Sequence, residues 1–313
     1  MEFIVISTLN GLVYGLLLFM VSAGLTLIFG MMGVVNFAHA SFYMLGAYLS
    51  FTIARVSNFW LALLIAPLIV MAAGMFIERF MLRRVHGFGH SQQLLLTFGI
   101  AFVFEELIKL FWGNFPVAYR PPTLLSGPAF SLFGTNFPSY RVFVAAVAMV
   151  LLGILFLLLQ KTRIGIIVRA SVQRPGMVSA LGHNVPLVFL GVFGVGAWMA
   201  GLAGAVGGAL LTTSPTMAAE MSVIAFVVVV VGGLGSLLGA FIASLLIGLL
   251  TSFSVGFQVS LADFAQLFVY GEQARQIGGL LTLQISSLSA SLPALLMLVV
   301  LLTRPAGLMG DRN

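Results

Sequence analysis

The chain has 313 residues, of which 61% are hydrophobic and 7% charged, against roughly 45–50% and about 25% in soluble domains. So few charged side chains cannot wet the outside of a fold this size, which excludes a soluble enzyme or binding module and requires a lipid-facing exterior. The net charge of +6 sits in short loops between apolar runs, a pattern of membrane topology rather than of nucleic-acid binding.

In chain order, the uncharged runs Leu61–Phe76, Val142–Leu159, Val185–Leu211 and Leu237–Leu250 are continuous, not alternating. Continuous runs near 20 residues select membrane-spanning helices over barrel strands. The predicted class is all-α: a polytopic transmembrane bundle of about 8–10 membrane segments, some broken or re-entrant, in a single domain over residues 1–313. The spans read as 6–30, 37–54, 59–78, 93–112, 141–160, 185–211, a hairpin of 221–233 and 237–256, and 287–303. The first apolar segment begins at Phe3 with no basic leader and reads as a retained span.

Nine of the 14 Lys and Arg fall in three places: Arg79, Arg83 and Arg84; Lys161, Arg163, Arg169 and Arg174; and Arg304 and Arg312. Positive-inside reasoning puts these segments, and the C-terminus, in the cytoplasm, and parity leaves the N-terminus outside. The outer loop Gly113–Tyr140 is rich in Pro, Gly and Ser and is expected to be irregular. Within the inner loop 161–184, Pro175 opens a short helix ending near Leu181, because proline suits a first helical position. Asp263, Glu272 and Arg275 read as part of an outer loop or a short surface helix.

Small residues four apart (Gly11 and Gly15, Gly204 and Gly208, Gly235 and Gly239, then Ala240, Ser244 and Gly248) mark faces where helices approach closely. The run Gly232-Gly233-Leu234-Gly235-Ser236 breaks a helix, either to line a cavity or as simple packing. Asn36-Phe37-Ala38-His39 interrupts two apolar runs, so its polar groups face either a path or a buried partner. Glu105, Glu106 and Lys109 fall inside a span, where charge costs at least about 2.5 kcal/mol. Glu105 and Lys109 have the spacing of an internal ion pair, which leaves Glu106 in need of another partner or a path to line. His86 and His90 are separated by Gly87 and Gly89 and lack a third ligand, so no metal site is assigned. No phosphate-binding lysine motif or hydrolase motif occurs, so catalytic residues and cofactors are none, and any ATP is bound by another chain.

Several stretches together resemble the branched-chain amino acid ABC transporter permeases of the LivH type: Asn10-Gly-Leu-Val-Tyr-Gly15, Gly24-Leu-Thr-Leu-Ile-Phe-Gly30, Val35-Asn-Phe-Ala-His39 and Met44-Leu-Gly-Ala-Tyr48. The same order continues with Lys161-Thr-Arg-Ile-Gly165, Leu181-Gly-His-Asn184, Ala200-Gly-Leu-Ala-Gly204, Gly232-Gly-Leu-Gly-Ser236 and Arg304-Pro-Ala-Gly-Leu308. Departures are Ala40 and Ser41, where a Gly and an acidic residue are common, and Arg174 and Gly176 in the inner loop.

The resemblance implies an ABC importer subunit in a bacterial inner (plasma) membrane. Its implied partners are a second permease subunit in a heterodimer, two cytoplasmic ATP-binding subunits and a periplasmic substrate-binding protein, with no nucleic acid. The implied cargo is a branched-chain amino acid, or else urea, a short amide or a small organic acid. By the same mapping, Asn36, His39, Ser41, Glu105, Glu106, Gly232, Gly233 and Gly235 border the translocation path. Arg169, Gln173, Arg174, Pro175, Leu181, Gly182 and Asn184 form the ATPase-coupling segment. The rival reading is a stand-alone ion-coupled secondary transporter, for which broken helices and buried acids also suit.

Overall fold

A computed structural model describes residues 1–33, 36–257 and 284–310; Val35, Asp263, Glu272, Arg275 and Arg312 lie outside these. Helices dominate: α1 (Glu2–Met32), α2 (His39–Val56), α3 (Phe59–Ile77), α4 (His90–Trp112), α5 (Ser139–Lys161), α6 (Arg163–Gln173), α7 (Pro175–Ala180), α8 (Val185–Gly207), α9 (Met217–Gly232), α10 (Leu237–Gly256) and α11 (Leu292–Thr303). α3 runs on through a π-turn, Glu78–Leu82, and ends in a 3-10 turn at Phe88. Among the described residues, five helices are long and apolar enough to span a bilayer: α1, α3 with its extension, α5, α8 and α10; α9 and α11 are shorter and apolar.

Side chains sort by environment. From Leu16 to Ile28, α1 is almost wholly buried, and α8 is buried from Val192 to Gly207 except at Val195 and Trp198. Outward-facing Leu64 and Leu68 on α3, Phe102 and Leu110 on α4, and Ile154 and Phe156 on α5 remain exposed. Such an apolar exterior is stable against lipid, not water.

The predicted small-residue faces meet one another. A Cβ on Gly11 would lie 2.8 Å from Leu249 Cα, and one on Gly15 would lie 2.8 Å from the Ser244 carbonyl oxygen. α1 and α10 therefore touch backbone to backbone along the predicted Ser244–Gly248 face. On the other side of the core, Gly204 faces the Tyr43 carbonyl, and Gly208 would bring a Cβ within 2.9 Å of the Ala47 methyl. Close backbone approach replaces the hydrophobic drive that lipid removes, because dispersion contacts grow as axes near one another.

The outer loop differs from the expectation of irregularity. It contains an antiparallel hairpin, β1 (Pro128–Leu132) with β2 (Thr135–Pro138), turning at Phe133-Gly134. Gly134 has φ +82, the left-handed conformation such a turn requires. Phe130 stacks on Phe137 across the pair at 5.2 Å.

Cross-chain contacts define two faces. Thr135 donates to Glu2 at 2.6 Å, the Val117 N–H donates to the Thr213 carbonyl at 2.9 Å, and Arg141 donates to Asn10. The N-terminus thus shares a face with the 113–138 loop. At the opposite end, the N–H groups of Leu308 and Met309 donate to the carbonyls of Val231 and Gly232 at 2.8 and 3.0 Å. Arg304 precedes that segment, and Lys161 and Arg169 sit at the end of α5 opposite its Arg141–Asn10 contact, which makes this second face basic.

Candidate translocation path and coupling segment

The break between α1 and α2 lies deep in the protein. α1 ends at Gly33, whose φ of +66 closes the helix in the left-handed conformation. α2 begins at His39, whose Nε2 is 2.9 Å from the Val21 carbonyl oxygen. Val21 is about 16 Å of helix rise before Met32, so the connection re-enters the core before α2 starts. Asn36 Oδ1 accepts from the Ala38 N–H at 3.1 Å, and the Phe37 N–H donates to Thr97 of α4 at 3.3 Å. Asn36 Nδ2, His39 Nδ1 and Ser41 Oγ are buried with no hydrogen-bond partner. Asn36 and His39 line a small void with Ser222, Ala225 and Phe226 of α9.

A much larger cavity, about 930 Å³, opens on the N-terminal face. It exists because α8 stops early. A Cβ on Gly207 would meet Leu17 and Tyr43 at 3.0 and 2.9 Å, so α8 ends level with residues about 20 Å of helix rise from the start of α1. The irregular segment 208–216 then forms part of the cavity wall through Leu210, Leu211, Thr212, Ser214 and Thr216. Further wall comes from Ser7, Asn10 and Tyr14 of α1, Tyr43 of α2, Arg141 of α5, Glu220 of α9, and Thr251 and Ser252 of α10. Glu220 on the outer cavity and Ser222 on the inner void place both spaces along α9. Tyr119 fastens the outer loop beside them by donating to the Ala205 carbonyl at 3.2 Å, and burial pushes its phenol up to about 12.

On the basic face, α6 and α7 form a helix pair. Thr162 caps α6 by accepting from the Gly165 N–H at 3.2 Å. Arg169 folds back to the Leu159 carbonyl at 2.7 Å and to Gln160 at 3.1 Å, tying α6 to the end of α5. Gln173 ends α6, Arg174 makes the bend, and Pro175 opens α7 at the first helical position, as expected of proline. Gly182 turns with φ +86, and Asn184 caps α8 by accepting from the Leu187 N–H at 3.1 Å. Of α7, only Val178 is buried, whereas Met177 is 57% and Leu181 74% exposed.

Comparison with known proteins supplies the family. The profile described as the permease component of branched-chain amino acid transport systems matches residues 7–302. The chain belongs to this family. It is 29% identical over 260 residues to the high-affinity branched-chain amino acid transport system permease protein LivH of Escherichia coli, covering 78% of this chain and 84% of that one. Against BraD of Pseudomonas aeruginosa, a permease protein of the same description, identity is 27% over 316 residues, 96% and 94% of the two chains. A probable LivH of Methanocaldococcus jannaschii is 26% identical and covers 84% of each chain. No solved structure matches.

The remaining candidate residues of this permease fall in two places. Glu105 and Glu106 both pair with Lys109 at 2.8 Å, so Glu106 shares the lysine instead of finding a second partner. Their side chains are 25% and 70% exposed, that of Lys109 29%, and neither acid lines the outer cavity. Gly232, Gly233 and Gly235 make the turn joining α9 to α10, with φ +104 at Gly233 and +85 at Gly235. The C-terminal segment packs onto this turn, where a Cβ on Gly233 would lie 2.5 Å from the Gly310 nitrogen. Sequence reasoning missed Asn10, Tyr14, Arg141 and Glu220. The one signal for them was Glu220, an acid beside Thr212-Thr-Ser-Pro215 within an apolar hairpin.

Proposed function

We propose that the chain is the translocating subunit of an ABC importer in a bacterial inner membrane, moving a small amphipathic solute, most simply a branched-chain amino acid, into the cytoplasm. The basic face, with the C-terminus, is cytoplasmic, following the positive-inside rule. Residues 1–313 act as one permease unit paired with a second, homologous permease subunit. Two ATP-binding subunits dock on the α6–α7 pair, and a periplasmic binding protein delivers solute to the outer cavity.

One observation carries this reading: a chain with no nucleotide-binding motif presents a helix pair at which the apolar side chains Met177 and Leu181 are left exposed among the described residues. A chain that harvests ATP energy from another subunit needs such a lever. Movement of Arg169–Asn184 would be passed to α5 by the Arg169 bonds and to α8 by the Asn184 cap. Solute would pass from the outer cavity toward the break at Asn36, His39 and Ser41, where loosely bonded polar groups keep binding weak enough for release. Support for a stand-alone ion-coupled transporter is reduced, since Glu105 and Glu106 share the Lys109 cation and neither lines the large cavity.

The test is co-purification with the ATP-binding subunits from the native membrane. Deleting 175–181 is expected to abolish it; retention after the deletion contradicts the coupling role.

A further inference from the structure

A groove of about 470 Å³ lies between α5 and α8. Leu155 and Leu159 of α5 form one wall, Val188 and Gly191 of α8 the other, and the groove reaches in to Leu27 of α1 and Met71 of α3. Leu27 is buried in the core, so the groove cuts deeper than the lipid-facing surface. Its wall is apolar except at His183 and Asn184, at the end nearest the basic face. From Asn184 to Val195 it follows α8 for about 16 Å, close to half of a hydrocarbon core about 30 Å thick. Over that length this volume is too narrow for a partner helix roughly 10 Å across. A hydrocarbon chain from one leaflet fits it.

The polar end of the groove is cationic. Lys161 and Arg163 flank the wall residues Leu159 and Ile164 in sequence, and Arg169 Nη1 donates to the Leu159 carbonyl at 2.7 Å. No ion pair neutralises any of the three among the described residues, and the sequence holds no acid between Glu106 and Glu220. Ile164 and Ile166 of α6 are exposed beside them, as on a helix lying at a membrane surface. We propose that the groove holds an acyl chain of an anionic phospholipid whose phosphate sits among Lys161, Arg163 and Arg169. The apolar slot takes the chain, and the unpaired cations select the headgroup, as basic recesses between spanning helices do for anionic lipids. The bound chain fills the space between α6 and the start of α8, the two ends by which segment 161–184 is attached. The proposal does not depend on what the permease carries.

The test uses the complex purified from its native membrane, stripped of lipid and titrated with palmitoyl-oleoyl phosphatidylglycerol, the same-chain phosphatidylcholine or glycerol 3-phosphate. Bound lipids are counted by native mass spectrometry. The first phosphatidylglycerol is expected to bind at least about tenfold more tightly than phosphatidylcholine, and glycerol 3-phosphate not to displace it. Lys161→Gln with Arg163→Gln should raise the half-saturating phosphatidylglycerol concentration at least about tenfold and leave phosphatidylcholine unchanged. Gly191→Leu fills the groove, because a Cβ there meets nothing within 4 Å, and should remove one tightly bound phosphatidylglycerol per complex. It is the decisive variant if the charge pair fails to fold. Equal binding of the two lipids, or a lipid count unchanged by Gly191→Leu, would overturn the proposal. Displacement by glycerol 3-phosphate would do so too, by marking a site for free anions. Loss of the second permease subunit from Gly191→Leu, with the lipid count intact, would overturn it by showing that protein covers the groove.

Discussion

His39 Nε2 stands 2.9 Å from the carbonyl oxygen of Val21, although 18 positions separate them. The contact locks the start of α2 against the middle of α1, and Gly24 leaves the slot in which the imidazole lies. A Cβ at Gly24 would come within 2.6 Å of the Gly196 carbonyl oxygen and 2.9 Å of His39 Cε1. His39→Ala is expected to destabilise the detergent-solubilised protein by about 1–2 kcal/mol, the worth of one buried hydrogen bond. Gly24→Ala should cost about 1–3 kcal/mol through overpacking. Thermal unfolding with an unchanged midpoint in both variants would contradict the lock.

The interlocked glycines give a sharper contrast. Gly204→Ala and Gly248→Ala each drive a methyl into neighbouring backbone, of α2 and α1 respectively, whereas Gly153→Ala on α5 meets nothing within 4 Å. Folded yield on size-exclusion chromatography should fall severely for the first two and hold or rise for the third, since alanine favours the helix. Equal yields for all three would show that close approach is not what holds α1, α2, α8 and α10 together.

For the acidic span, order of stability is the readout. Lys109→Met leaves Glu105 and Glu106 in an apolar helix without their shared cation. Membrane insertion should fall for this single variant and recover when Glu105→Gln and Glu106→Gln are added. A triple variant that transports normally would confine the acids to a structural role. A triple variant that inserts but does not transport would restore them to the path.

At the coupling segment, Met177→Asp and Leu181→Asp change side chains that are already exposed, so thermal stability should shift by less than about 0.5 kcal/mol. Affinity for the ATP-binding subunits, measured by titration in detergent, should drop at least about tenfold, as expected when an apolar anchor at an interface becomes charged. Unchanged affinity would move the docking site elsewhere on the basic face.

Much of the bundle is legible from apolar runs alone, because each span has to satisfy its own backbone in lipid. The inner helix at Pro175 and the meeting of Gly11 and Gly15 with the Ser244–Gly248 face follow from local chemistry, one from proline geometry and the other from four-residue spacing. Less legible is α6, which falls inside the predicted inner loop and is marked in the sequence by little more than the Thr162 cap and an amphipathic pattern. The hairpin at Phe133-Gly134 was hidden because its strands are exposed and short. Of the outer cavity, Glu220 alone left a mark in the sequence. Asn10, Tyr43 and Arg141 are unremarkable singly, and they converge with it only because α8 ends early and the chain returns through 208–216.

The central claim, that energy reaches this permease from other polypeptides through its basic face, is tested most directly in proteoliposomes. The chain is reconstituted with its second permease subunit, the ATP-binding subunits and the binding protein, and labelled leucine uptake is followed. Accumulation that requires internal ATP and is lost with Leu181→Asp is the expected result. Accumulation by the permease chain alone, under a proton or sodium gradient and without nucleotide, would contradict it.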